Sequence, residues 1–266
     1  MKVFICADIE GTAGIVDWEE TIRGERGWEE FRELMTLEVL AACEGARAAG
    51  ATEVVVKDAH DSGRNILVGR LPDYVRVVRS WSGHPDQMMF GIDETFDAAV
   101  FTGHHSRAGT EDNPLAHTSN QKISCMYLNG KPASEFTINA LCAARYGVPS
   151  VFLSGDEGIC AEVAGEVPGI VTVETLKGYG NGSNSIAPQR AQKLIREGVE
   201  RALRQDNKTR MPDVKGPFEV KIEFTNPVTA YQSSWYPGVK TAGPRTITYA
   251  ADDFFEILRA LRFIKG

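Results

Sequence analysis

No uninterrupted apolar run in this 266-residue chain approaches the length of a membrane span. Cysteine is sparse: Cys6, Cys43, Cys125, Cys142 and Cys160 are odd in number, widely spaced and mostly set in apolar segments. That pattern excludes a disulfide framework or a zinc ribbon and reads as reduced core thiols. There is no excess of positive charge. With 29 basic and 36 dispersed acidic residues, net charge is −7, which argues against a nucleic-acid or anionic-membrane partner. The amino terminus enters a strand directly, with no basic region, apolar stretch and cleavage site, so a soluble cytoplasmic protein is expected. A glycine-rich phosphate loop, a dinucleotide fingerprint, a Gly-x-Ser-x-Gly nucleophile elbow and a zincin helix are all missing, as are internal repeats. Nucleotide chemistry and serine hydrolysis therefore lack their usual carriers.

What is present is a series of short strands ending in polar residues. Lys2–Ala7 runs into Asp8-Ile9-Glu10-Gly11, Glu53–Lys57 into Asp58-Ala59-His60, and Ala98–Thr102 into Gly103-His104-His105. Helices are predicted over Trp28 to Ala49, Glu135–Tyr146, Pro188 to about Gln205, and Asp252–Phe263. Strands are predicted at Tyr74–Arg79, Gln121–Leu128, Ser150–Ser154, Ile170–Thr175, Gly216–Phe224 and Thr246–Tyr249, with a hairpin at Asn129-Gly130. Asp156 is placed to start a helix, and Lys177–Ser185 reads as a loop suited to a mobile rim. The β-α-β order predicts an α/β fold with a mainly parallel central sheet flanked by helices. One domain over 1–266 is expected, with the option of a smaller C-terminal lobe within about 188–266. In such a sheet, ligands collect at the carboxyl edge of the strands.

Asp8 and Glu10 share a side if the strand conformation persists, and two such carboxylates repel unless a cation lies between them. The ordinary alternative is a turn cap beside a solvated carboxylate. Asp58 is placed to orient His60. Adjacent His104 and His105 face opposite sides of a regular strand, so one of them is expected in the cluster. His84, beside Pro85, reads as structural. His117 reads as a general base, an electrophile, a nucleophile or a loop residue. Glu135 opens a helix, where a negative charge is favoured in any case. His60, His104, His105 and His117, four of the five histidines, lie at or just beyond predicted sheet edges. Together, Asp, Glu and His without thiolates suit zinc or another first-row metal and point to metal-assisted hydrolysis.

The motifs Asp8-Ile9-Glu10-Gly11, Val56-Lys57-Asp58-Ala59-His60, Gly103-His104-His105-Ser106-Arg107-Ala108, His117, Glu135 ahead of Asn139, Val148-Pro149 and Ser154-Gly155-Asp156 occur in an order that runs through almost the whole chain. In these the chain resembles the DppA-type D-aminopeptidases, zinc peptidases associated with bacterial dipeptide transport. The resemblance implies two zinc ions per subunit held by Asp8, Glu10, His60, His105 and Glu135, with His117 as the catalytic histidine. His104 stands where the family usually has an aromatic residue. Also implied is a homo-oligomer, a ring-shaped decamer with an internal chamber. The expected activity is hydrolysis of short peptides with a free N-terminal D-amino acid, such as D-Ala peptides, through a zinc-activated water. Asp8 is expected to bridge the ions, Glu10 and His105 to share one, and His60 and Glu135 the other. The alternatives are a metal-dependent amidase or cyclic-amide hydrolase, and a non-catalytic peptide-binding protein linked to transport.

Overall fold

The computed structural model describes residues 1–206 and 210–266. The first half of the chain alternates strands and connections: β1 (Lys2–Ala7), α1 (Trp28–Ala48), β2 (Glu53–Asp58), β3 (Val75–Val78) and β4 (Ala98–His104). There follow β5 (Ile123–Leu128), β6 (Lys131–Pro132), α2 (Glu135–Arg145), β7 (Ser150–Asp156), α3 (Glu157–Glu166), β8 (Val171–Tyr179) and β9 (Gly182–Ser185). The chain closes with α4 (Pro188–Leu203), β10 (Phe218–Phe224), α5 (Pro227–Ser233), β11 (Lys240–Gly243), β12 (Thr246–Ala251) and α6 (Phe254–Ile264).

Seven strands form one sheet in the order β3-β2-β1-β4-β7-β8-β9, parallel except for the last pair. The central strands β1, β2, β4 and β7 are apolar on both faces, as a sheet covered on both sides requires. Val3, Ile5, Val54, Val56 and Val100 pack with α1 and α4, whereas Phe4, Cys6, Val55 and Phe101 pack with α2, α6 and a second sheet. Val3, Phe4 and Ile5 are completely buried, each contributing about 1.5–3 kcal/mol by removal from water. The sheet order reverses between β1 and β4, which opens a crevice at their carboxyl ends.

The second sheet has the order β11-β12-β10-β5-β6 and is antiparallel throughout. Its β5–β6 hairpin turns at Asn129 and Gly130, both at positive φ, the conformation that favours this dipeptide in a two-residue turn. This smaller layer draws on residues 123–132 as well as 218–251, while α4 lies on the large sheet beside α1. The apolar face of α6, Phe254, Ile257, Leu258, Leu261 and Ile264, is buried against the smaller sheet and α2.

Lys177–Ser185 is not a loop. Its residues form the β8–β9 hairpin, with Leu176 opposite Ser185 and Tyr179 opposite Gly182. The small polar side chains that suggested a loop fix the hairpin instead: the Gly14 amide donates to Ser185 Oγ at 2.7 Å, and Ser183 Oγ donates to the Ile15 carbonyl at 3.2 Å. Residues 177–185 do not line the cleft described below. No described helix is long and apolar enough to cross a membrane.

Candidate metal centre

Close backbone contact brings the strand ends together. A Cβ on Gly11 would lie 1.8 Å from the His104 carbonyl oxygen, one on Gly103 2.2 Å from the Asp8 oxygen, and one on Gly155 2.1 Å from the His104 oxygen. The three glycines of the strand-end motifs thus permit β1, β4 and β7 to abut where the chemistry sits. Gly103 also has φ +66°, accessible to glycine without a Cβ penalty. It breaks the strand alternation, which is why both His104 and His105 are buried beside Asp8.

Asp8, Glu10, His60, His105, His117 and Glu135 converge on one another from the ends of β1, β2 and β4, the connection before β5, and the first turn of α2. Three overlapping sets have donor atoms within 4.8 Å of one another: Asp8 with Glu10 and His60, Asp8 with His105 and Glu135, and Glu10 with His105 and His117. His60 Nδ1 lies 3.3 Å from Asp8 Oδ1 and 3.1 Å from Glu10 Oε1. His105 Nε2 lies 3.7 Å from Asp8 Oδ2 and 3.8 Å from Glu135 Oε1. His117 Nε2 is 3.6 Å from the same Glu135 oxygen, and the His105 and His117 rings stack 4.2 Å apart. Trp18 meets His117 edge-on at 5.2 Å.

Each of these three imidazoles is held through its other nitrogen by a backbone carbonyl. His60 Nε2 donates to Thr21 O, His105 Nδ1 to Ser106 O and His117 Nδ1 to Leu115 O, each at 2.9 Å. That arrangement selects the tautomer with an unprotonated nitrogen facing the cluster, as metal ligation or proton acceptance requires. Asp58 does not orient His60. It accepts from Asn65 N, Asn65 Nδ2 and Ile66 N at 2.6–2.9 Å, while Asn65 Nδ2 donates to the His60 carbonyl. The carboxylate shapes the turn carrying the histidine, and Thr21, which has no sequence signature, holds the ring. Asp156 accepts from Ser106 N and Oγ, Asn113 Nδ2 and Ile159 N, capping α3 and fixing the segment after His105. His104 lies against Phe101, with neither ring nitrogen hydrogen-bonded and Nδ1 3.8 Å from Asp8 Oδ2.

The electrostatics fit divalent cations. Without a cation between the carboxylates, burial and Glu10 push Asp8 up to about 8. Burial opposes ionisation of Glu10 too, but His60, His105 and His117 hold it well below the usual range. His105 is raised to about 9: burial opposes its charge, but Glu135, Glu10 and Asp8 outweigh it. Burial lowers His117, reinforced by His105. Glu10 Oε2 is buried without a hydrogen-bond partner. Three enclosed carboxylates, unpartnered oxygen and inward-facing imidazole nitrogens form the nitrogen–oxygen donor set of zinc or a neighbouring first-row metal.

A cleft of about 640 Å³ opens over this cluster. Trp18, Ile22, Trp81, His84, Arg262 and Lys265 are among its walls. The sequence reading missed the two tryptophans and both C-terminal cations, because their segments carry no motif and reach the cleft only through the fold. His84, expected to be structural, also reaches the wall, with its ring packed near Phe90 and Phe255.

Comparison with known proteins agrees with the motif order. A curated D-aminopeptidase of Bacillus subtilis (strain 168) is 29% identical over 264 residues, covering 98% of this chain and 95% of the relative. The solved structure of the Zn-dependent D-aminopeptidase DppA from Bacillus subtilis, described as a self-compartmentalizing protease, superposes with a TM-score of 0.91 at 28% identity. That match covers 98% of this chain and 95% of the other. A sequence model of the D-aminopeptidase family spans residues 1–263. By that full-length match, the chain belongs to the D-aminopeptidase family.

Proposed function

We propose that this protein is a zinc-dependent aminopeptidase that removes an N-terminal D-amino acid from short peptides, using two ions per subunit. The observation that carries the two-ion reading is the division of Asp8: Oδ1 faces His60, whereas Oδ2 faces His105. Glu10, His60, His105 and Glu135 would hold the two ions with Asp8 shared between them, and Glu10 stands within reach of both His60 and His105. Glu10 and His60 meet across the ends of neighbouring strands, and Glu135 enters with the first turn of α2. When bound, zinc supplies Lewis acidity that lowers the pKa of water and polarises a carbonyl. His117 accepts a proton at Nε2, which lies beside the cleft while Nδ1 is tied to Leu115, and returns it to the departing amine. Trp18 and the stacked His105 hold that ring in place.

The relative's self-compartmentalizing assembly supports a homo-oligomer here. Val228, Tyr231, Trp235 and Phe263 expose large apolar groups on the smaller layer and supply a surface for subunit contact. The functional test compares D- and L-amino-terminal peptides with the zinc-loaded protein, before and after chelation. Release of free D-amino acid that stops on metal removal is expected. Cleavage of N-acetyl peptides but not free-amine peptides would favour the amidase alternative, and cleavage of L-peptides at the same rate would remove the D-preference. His117→Ala is expected to retain metal and lose turnover by about 10²–10⁴-fold.

A further inference from the structure

Three cationic residues on one wall of the cleft have no role in the chemistry above. Lys122 precedes β5, and Arg262 and Lys265 lie on and just beyond the end of α6; all three line the cavity that contains Asp8, Glu10 and Glu135. Their gathering is not a general basic surface, since the chain carries net charge −7. Among the described residues, none of the three forms an ion pair with a carboxylate side chain. Lys265 is the most enclosed, its ammonium donating to Gln87 Oε1 and its carbonyl accepting from Asn120 Nδ2 at 2.8 Å. A neutral amide occupies one of the three ammonium donors of this half-buried cation, which leaves two that can meet an anion. Arg262 and Lys122 are exposed at the rim.

We propose that Lys265, assisted by Arg262 and Lys122, binds the C-terminal carboxylate of the peptide substrate. This rests on the aminopeptidase reading and gives it a second recognition point. The residue removed from an amino terminus is the short end of the substrate, while the remainder extends toward the mouth. A cationic wall running from an enclosed lysine to exposed Arg262 and Lys122 suits the free carboxylate on that longer side. Recognition of both ends selects short peptides over internal bonds of folded chains.

The test measures KM and kcat of the zinc-loaded protein for D-alanyl-glycyl-glycine and for its C-terminal amide. A charge-assisted contact at the carboxylate predicts a KM about 10- to 100-fold higher for the amide, with kcat little changed. Lys265→Met should raise KM for the free acid by a similar factor and leave the amide unaffected. Arg262→Gln, at an exposed position, should raise the acid KM by a smaller factor and serves if Lys265→Met does not fold. Equal KM for acid and amide in the unaltered protein, or equal weakening of both by Lys265→Met, would overturn carboxylate recognition. Hydrolysis of neither peptide by the metal-loaded protein would instead sink the aminopeptidase reading, and this inference with it.

Discussion

Asp8, Glu10 and Glu135 are costly to enclose as ions, and their positions make sense only as parts of a charge-balanced group. Glu38 on α1 provides a contrast within the same molecule. It is buried, its Oε1 accepts from the Ala13 amide at 2.9 Å, and among the described residues Oε2 has no hydrogen-bond partner. Burial pushes its carboxyl up to about 8 from the ordinary 4.5. A carboxyl whose folded-state pKa exceeds its unfolded one keeps its proton preferentially when folded. Its contribution is therefore favourable below 4.5 and is lost as pH rises to about 8. Glu38→Gln should remove this component, leaving the variant relatively more stable at alkaline pH. Urea midpoints from about pH 5 to about pH 9 test it; parallel curves for the two proteins would contradict the assignment.

Strand ends and helix starts set the positions of these side chains, and most of them were legible. Lys2–Ala7 is an apolar run whose limits coincide with β1, and Trp28–Ala48 differs from its expected span by one residue. Asp156 caps α3 as its position suggested. The hairpin over β8 and β9 was not legible, because backbone pairing is compatible with the Gly, Ser and Asn side chains that also make loops. The partner of His60 was equally hidden: a main-chain carbonyl at Thr21 leaves no trace in residue type. Close strand approach makes a sharper prediction. Gly11→Ala would force a methyl group against the His104 carbonyl, backbone against backbone. Destabilisation of about 3 kcal/mol, the upper part of the overpacking range, is expected, with weakened metal retention. An unchanged melting temperature would show that the strand ends separate freely.

Across the molecule, the large sheet supplies Asp8, Glu10, His60 and His105, while the smaller layer and α6 close the cleft opposite them. That second contribution was out of reach of the sequence, since β5 and α6 are brought together from positions over a hundred residues apart. The smaller layer also carries the exposed Tyr231–Trp235 pair, with ring centroids 5.9 Å apart, and Phe263 stacked on Tyr236. Trp235→Glu should shift the protein from an assembly to smaller species in sedimentation without unfolding it. An unaltered sedimentation profile would place subunit contact elsewhere.

The proposal that these acidic and imidazole groups hold two cations is tested most directly by elemental analysis of the purified zinc-loaded protein beside Asp8→Ala. Two zinc ions per chain are predicted in the unaltered protein and none in the variant, since Asp8 belongs to two of the three overlapping donor groups and would be shared between the ions. One ion in the unaltered chain, or full occupancy in Asp8→Ala, would contradict the bridged two-metal centre.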